Sequence, residues 1–230
     1  MTPRRSIVLS FLVMAAATLR AQPASPNLAP YLMADREAEV ALARSSAPRS
    51  VSDDASVLVL TRDGYVETAK GTNGFTCLVV RAFGGSLTDL ASWTNARVRA
   101  PHCLNPAAAR SILPEMKKRA ALVMSGLAFA EVAKAIRQAY ATKGFPETED
   151  GALAYMMSRN QHLDDANPHW MPHLMFYFGG GRKGSEWGAA ALPAGMSAPL
   201  IDGGLDEASR TTVLLIPVPK WSDGTPFVQH

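Results

Sequence analysis

The alternation of apolar and polar residues predicts strands in the first third of the chain. Residues 56–61, 65–68 and 75–80 form three runs rich in apolar and β-branched side chains, separated by Asp63-Gly64 and Asn73-Gly74. Such pairs favour tight hairpin turns, because both of their residues tolerate a positive φ. We therefore expect an antiparallel meander of three strands.

The middle of the chain has a helical pattern. Asn105 is followed by Pro106, and this pair is typical of a helix start, since asparagine caps free N–H groups and proline suits the first helical position. Pro114 is expected to restart or kink the helix. A second helix is predicted over 128–142, and Gly144 is a typical C-terminal stop.

Two later strands complete the predicted fold. Apolar runs at 174–178 and 211–218 indicate buried strands, whereas 151–157 is compatible with either a helix or a strand. Strands at both ends of a chain with helices between them favour the α+β class. We expect a mainly antiparallel sheet, made of the N-terminal meander and the C-terminal strands, with a central helical segment.

The first residues have the layout of a secretory signal peptide. Arg4 and Arg5 precede an apolar stretch of 14 residues, 6–19, and Ala21 offers a small residue for cleavage. A permanent N-terminal anchor is the alternative, but a membrane-spanning helix needs about 20 apolar residues. We expect an exported protein, periplasmic or secreted, with no stable membrane span after cleavage. The pattern leaves open the general and the twin-arginine export routes.

The rest of the chain divides into two parts. Residues 22–50 are expected to hold a disordered segment, a helix from Tyr31 to Arg44 and the start of a serine-rich linker, 45–54. Residues 51–230 are expected to form a single α+β domain, and residues 1–21 are the predicted signal peptide. A mature chain of this length suits one large domain or two small ones.

The distribution of charge argues against a nucleic-acid partner. The whole chain has 23 Lys and Arg residues against 20 Asp and Glu residues. Arg4, Arg5 and Arg20 lie in the signal segment, which contains no acid, so the mature chain carries 20 of each. A nucleic-acid interface needs clustered Lys and Arg side chains on one face, and the charges of this chain are mixed along its length.

Cys77 and Cys103 are the only cysteines in the chain. An even number of cysteines in an exported protein predicts a disulfide, because the compartment is oxidising. Two buried free thiols are the alternative. His102 stands next to Cys103 and suggests a thiol–imidazole pair, but a disulfide partner for Cys103 is favoured in this compartment.

Three of the five histidines fall within the twelve residues from His162 to His173. Histidine is the commonest metal ligand and titrates near neutral pH. We predict that His162, His169, His173 and Asp165 hold a metal ion or a small molecule. Such a nitrogen and oxygen set suits zinc, with a position left open for water.

Methionines in the same stretch suggest copper as an alternative to zinc. If the segment is extended, His169, Met171, His173 and Met175 share one face. Imidazole with thioether is a soft ligand set that suits copper.

Three other interpretations of the histidine-rich stretch stay open. The methionines can simply fill the core, and the histidines can bond a neighbouring loop. The same His and Asp residues can serve a periplasmic hydrolase, although no nucleophile motif accompanies them. The chain can also be a structural envelope protein without catalysis. No cofactor is certain from the sequence, and its partners are expected to be a metal ion or a small molecule.

Four blocks of sequence resemble a group of exported bacterial proteins that has no assigned function. They are Gly71–Val79, Ala100–Pro106, His169–Phe176 and Val218–Gly224, and they span most of the mature chain. The resemblance implies export and a single domain. It supplies no catalytic residues.

Overall fold

A computed structural model describes residues 27–165, 170–191 and 198–228 of the chain. The described helices are α1 Arg36–Arg44, α2 Arg49–Ser52, α3 Pro106–Ser111, α4 Leu113–Met124 and α5 Phe129–Ala141. The described strands are β1 Ser56–Thr61, β2 Gly64–Ala69, β3 Thr76–Val80, β4 Ala100–Leu104, β5 Leu153–Met156, β6 His173–Phe178, β7 Ala190–Ala191, β8 Ile201–Asp206 and β9 Thr211–Pro217. The predicted signal peptide lies outside the described residues.

These strands form one sheet, which confirms the α+β class. Their order is β2-β1-β3-β4-β5-β6-β9-β8-β7. Neighbouring strands are antiparallel, except that β1 is parallel to β3 and β7 is parallel to β8. Among the residues described, none of the helices has the length and apolar character needed to cross a membrane.

The N-terminal strands differ from the predicted meander. The hairpin between β1 and β2 forms as expected, but β3 lies beside β1 and parallel to it. After β2 the chain crosses the start of β1, where the N–H of Thr72 donates to the carbonyl of Asp54 at 2.8 Å. Gly71 permits this crossing, because a Cβ there would lie 2.1 Å from the backbone nitrogen of Ser56. Asn73-Gly74 therefore joins no hairpin.

Two further expectations need correction. The first helix begins at Arg36 instead of Tyr31, because the side chain of Asp35 caps it by accepting from the N–H of Ala38. Strand β4 was not predicted, since Pro101 lies within it and proline is unusual inside a sheet. The cap at Asn105 is confirmed, with its side chain accepting from the N–H of Ala108.

Helices pack on both faces of the sheet. On one face, α4 and α5 cover apolar side chains of the central strands, among them Leu78 and Leu104. On the other face, α1 and the residues that follow it cover a smaller cluster that includes Val57, Cys77 and Cys103. Residues 45–54, predicted as a linker, thus take part in this packing through Ala47.

The two cysteines lie opposite each other on β3 and β4. Their sulfur atoms are at bonding distance, 2.00 Å apart, and both side chains are buried. The bond closes a sequence separation of 26 residues. The predicted pairing of Cys77 with Cys103 therefore agrees with the structure.

A buried ion pair connects α1 to the sheet. Nη2 of Arg81, just after β3, donates to Oε1 of Glu39 at 2.7 Å, and both side chains are almost fully buried. The same oxygen accepts from the N–H of Leu60 at 3.0 Å. Nε of Arg81 donates to the carbonyl of Tyr31 at 2.7 Å. One carboxylate and one guanidinium thus join α1, β1, β3 and the segment before α1.

We expect reduction of the Cys77–Cys103 bond to lower the free energy of unfolding by about 3.5 kcal/mol, because the unfolded chain regains loop entropy. Urea unfolding of the oxidised and reduced protein measures the difference. A double Cys77→Ala, Cys103→Ala variant should match the reduced protein and ignore reductant. Two titratable thiols in the unreduced, denatured protein would contradict the bond.

We expect Glu39→Ala to lower the free energy of unfolding by about 3–5 kcal/mol, since it leaves a buried guanidinium without a counter-charge. Glu37→Ala is the matched control, because Glu37 is exposed on the same helix, and it should change stability little. Denaturant unfolding measures both variants. Equal stabilities of the two would show that the ion pair does not hold α1 to the sheet.

Candidate functional site

A cavity of about 900 Å³ opens on the face of the sheet that α4 and α5 cover. Strands β4, β5, β6, β8 and β9 supply its floor, and the loop around Leu163 and Trp170 borders it. This volume lies in the range of small-molecule sites, about 300–1,000 Å³. Two of the chain's histidines, His102 and His173, line it.

His102 and His173 occupy corresponding positions on two strands. They lie on β4 and β6, which flank β5. Met156 of β5 pairs with His173, and the register of β4 with β5 continues to place His102 beside the same methionine. All three side chains line the cavity. The alternation of side chains along each strand thus brings two imidazoles to one face of the sheet.

The hydrogen bonds of the two imidazoles fix their protonation. Nδ1 of His102 lies 2.8 Å from the carbonyl of Ala100, and Nδ1 of His173 lies 2.8 Å from the carbonyl of Met171. A carbonyl oxygen only accepts, so each Nδ1 carries a proton and donates it. Each Nε2 is then an acceptor, and neither has a hydrogen-bond partner among the residues described.

Burial keeps both imidazoles neutral. His102 is 8% exposed and His173 is 1% exposed. Burial lowers the pKa of each to about 4, although the bond to the backbone carbonyl opposes the shift. At neutral pH the cavity therefore presents two lone pairs and no positive charge from these rings.

The two rings are too far apart to share one metal ion. Both β4 and β6 are antiparallel to β5, so they run in the same direction, and both rings bond the carbonyl two residues before them. The rings are therefore offset by two strand spacings, about 10 Å. A metal ion bound to two imidazoles at about 2.0–2.1 Å needs nitrogen atoms within about 4 Å.

The structure places the predicted metal ligands in two different environments, the surface and the cavity. Nε2 of His162 lies 3.1 Å from Oδ1 of Asp165, near the surface. Asp165 also pairs with Arg97, and the hydrogen bond from His162, followed by Arg97, lowers the pKa of that carboxyl group. His173 lies in the cavity, and His169 lies outside the described residues.

A zinc or copper site at His162, His169, His173 and Asp165 stays a prediction. Within ranges 27–165, 170–191 and 198–228, no group of three or more His, Cys, Asp and Glu side chains is placed to hold a metal. The predicted face is correct in part, since His173 and Met175 both line the cavity.

A buried ion pair forms another part of the cavity wall. Oε1 of Glu115 accepts from Nε of Arg119 at 2.6 Å, and Nη1 of Arg119 donates to the carbonyl of Gly85 at 2.6 Å. The other oxygen of Glu115 has no partner among the described residues. Burial raises the pKa of Glu115, and Arg119 opposes that shift.

A second carboxylate lies near this pair. Oδ1 of Asp206, at the end of β8, accepts from the N–H groups of Ala208 and Ser209 at 2.9 Å each. Burial raises the pKa of Tyr140, and the charges of Glu115 and Asp206 raise it further. The guanidinium of Arg119 opposes the effect of these carboxylates on the pKa of Tyr140.

Aromatic side chains supply the apolar surface. Trp170 packs edge-on against His173, with ring centroids 4.8 Å apart. Tyr177, two positions beyond Met175 on the same face of β6, is buried in the cavity wall, and burial raises its pKa. The cavity thus combines apolar walls with a few polar atoms, which is usual for small-molecule sites.

Sequence reasoning missed most of this site. The sequence indicates His102 only as a neighbour of Cys103, because Pro101 argues against a strand at β4. Glu115, Arg119 and Asp206 carry no motif and are brought together by the packing of α4 against the sheet. Ala100, His102 and Leu104 are alternate residues of β4. A strand predicted at this position would have placed His102 on the same face as Leu104.

We expect the imidazoles of His102 and His173 to stay neutral down to about pH 5 and to gain protons only near pH 4, because burial penalises their charged form. Between pH 6.5 and 4 the unfolded chain then binds protons that the folded chain does not. The free energy of unfolding should therefore fall as pH is lowered through this window.

Heteronuclear NMR of the two imidazole rings measures their pKa values and shows which ring nitrogen carries the proton. The nitrogen shifts should identify Nδ1 as protonated and Nε2 as unprotonated at neutral pH. A titration midpoint above pH 6, or a proton on Nε2, would contradict the arrangement.

Comparisons with known proteins add no family to this description. The chain matches no protein-family profile, no curated protein and no solved structure. The site is therefore interpreted from its own residues.

Proposed function

We propose that this is an exported protein that binds a small organic molecule in the cavity on the sheet. The proposal rests on one observation: two neutral imidazoles, His102 and His173, line the same cavity, and their Nε2 acceptors have no partner among the described residues. A ligand that carries hydrogen-bond donors can therefore bond these atoms in the cavity.

Export is part of the proposal and rests on separate support. The basic start and apolar stretch of the sequence are typical of a signal peptide. The bonding distance between Cys77 and Cys103 is compatible with an oxidising compartment. Whether the protein is periplasmic or secreted does not affect the binding site.

The cavity favours binding over hydrolysis. A general base works best with a pKa near the operating pH, whereas burial lowers the pKa of both imidazoles to about 4. As hydrogen-bond acceptors the same rings are well suited, because they stay neutral and fixed in orientation. A zinc or copper ion held by His162, His169, His173 and Asp165 is the alternative proposal, and it would use His173 of the same cavity.

We expect the wild-type protein to bind phenethyl alcohol saturably, since this probe joins an aromatic ring to one hydroxyl donor. His102→Phe and His173→Phe keep a ring and remove the acceptor. The single hydroxyl donor can bond one of the two imidazoles. Replacing that histidine should weaken binding about fivefold, which corresponds to the loss of about 1 kcal/mol. Isothermal titration calorimetry at neutral pH measures the affinities.

Tyr155→Phe is the matched control, because it keeps a ring and removes a polar atom on the opposite face of the sheet. Its affinity for phenethyl alcohol should stay within about twofold of wild type, a range below one hydrogen bond. Circular dichroism of each variant confirms that it folds. No saturable binding by the wild type, or equal binding by all three variants, would overturn the proposed function.

A further inference from the structure

The two cavity imidazoles form a pair of acceptors on either side of Met156. The register of β4, β5 and β6 places His102, Met156 and His173 in one row, and all three side chains line the cavity. Both histidines are more than nine-tenths buried, and each Nδ1 is held by a backbone carbonyl. Each imidazole therefore has one polar atom left for a ligand, Nε2, and the strand that carries the ring fixes its position.

Both Nε2 atoms are open to the cavity. Among the described residues, the one polar side-chain atom that is fully enclosed without a partner is Oε1 of Gln161. Nε2 of His102 and Nε2 of His173 also have no partner in this part of the chain. They are therefore not enclosed by protein, and a ligand in the cavity can reach them.

The separation of the two imidazoles limits which ligands reach both of them. Their rings are offset by two strand spacings, about 10 Å, and a hydrogen bond spans about 2.8 Å at each end. Two donors of one ligand must therefore lie at least about 4.4 Å apart to bond both Nε2 atoms. Hydroxyl groups on adjacent carbons of an aromatic ring are closer together than this, whereas those on opposite carbons are farther apart.

The surface between the two imidazoles is apolar. The thioether side chain of Met156 lies between them, and methionine sulfur makes favourable contacts with aromatic rings. Trp170 packs edge-on against His173 and borders the same part of the cavity. An aromatic ring placed between the two acceptors would therefore cover an apolar floor.

This end of the cavity offers no free charge for a ligand. Arg81 is paired with Glu39, and Asp164, which also lines the cavity, is not free either. Asp206 lies about 20 Å along β9 from the position opposite His173. A buried charge without a partner is costly, so an uncharged ligand is favoured beside the imidazoles.

We infer that the ligand is an uncharged aromatic diol, with hydroxyl groups on opposite sides of its ring that donate to Nε2 of His102 and Nε2 of His173 across Met156. Each hydroxyl group donates one hydrogen bond, so two donors match two acceptors. The ring between them covers the thioether of Met156. This inference rests on the proposed function and names the ligand class of the same cavity.

Three uncharged phenols test the number and the spacing of the donors. Hydroquinone carries hydroxyl groups on opposite ring carbons, catechol carries them on adjacent carbons, and hydroquinone monomethyl ether keeps only one. Isothermal titration calorimetry at neutral pH, in solutions free of oxygen, measures their affinities. We expect hydroquinone to bind the wild-type protein at least about fivefold more tightly than either of the others, the effect of one additional hydrogen bond.

Two charged analogues test whether the ligand is uncharged. In para-hydroxybenzoate a carboxylate replaces one hydroxyl group of hydroquinone, and in para-hydroxybenzylamine an ammonium group extends from the same position. Both should bind more weakly than hydroquinone, because neither charge finds a free counter-charge beside the imidazoles. Tighter binding of either analogue would show that the ligand is an ion of that sign.

His102→Phe and His173→Phe test whether both imidazoles take part. Each variant should bind hydroquinone about fivefold more weakly than wild type and lose the preference over catechol, because one of two acceptors is gone. The monomethyl ether has one donor, so it should lose affinity in at most one of the two variants. Tyr155→Phe, the control on the opposite face of the sheet, should keep the preference for hydroquinone.

The outcomes separate this inference from the proposed function. If catechol or the monomethyl ether binds as tightly as hydroquinone, or if only one histidine variant affects hydroquinone, the inference is wrong while the proposed function stands. If none of the probes binds, the proposed function fails as well. The comparison of the phenols on wild-type protein needs no variant, so it decides the spacing of the donors even if a histidine variant misfolds.

Discussion

The ion pair between Arg81 and Glu39 is the constraint on which the rest of the structure depends. Both side chains are almost fully buried, and burying either charge alone would cost several kcal/mol. The pair therefore forms only when α1, β1 and β3 are all in place. It also joins the segment before α1 to the sheet, because Nε of Arg81 donates to the carbonyl of Tyr31. Arg81 reaches the cavity wall from the same position, so the fold and the site share this contact.

The cavity follows from the same sheet. Strands β4 and β6 run parallel to each other on either side of β5, and each places a histidine on the face that lines the cavity. The carbonyl two residues earlier holds each ring by Nδ1, which leaves Nε2 as the acceptor. Tyr177 and Met175 continue this face along β6. Regular backbone geometry, and not a loop motif, thus arranges the candidate binding atoms.

Local signals predicted the elements that depend on local chemistry. The cap at Asn105, the helix before Gly144 and the strand His173–Phe178 all arise from short-range preferences. The pairing of β3 with β1 depends on a close backbone approach at Gly71, and sequence periodicity contains no record of that contact. The sequence does not predict β4 for a related reason. Whether Pro101 is tolerated within a strand depends on the neighbouring strands.

The site was predicted less well than the fold. The cluster of histidines at 162–173 drew attention by its density, yet His162 lies near the surface beside Asp165. The partner of His173 on the cavity face is His102, about 70 residues earlier in the chain, a pairing that strand order creates. Glu115, Arg119 and Asp206 come from three further positions. Such convergence is tertiary, so a single sequence without an assigned fold does not reveal it.

The central claim is that a small molecule occupies the cavity beside His102 and His173. Isotope-filtered NMR of the labelled protein with unlabelled phenethyl alcohol tests this claim most directly. The account predicts nuclear Overhauser effects between the probe and the imidazole protons of both histidines. Saturable binding with effects confined to residues outside the cavity, such as the aromatic pair Trp221 and Phe227, would contradict it.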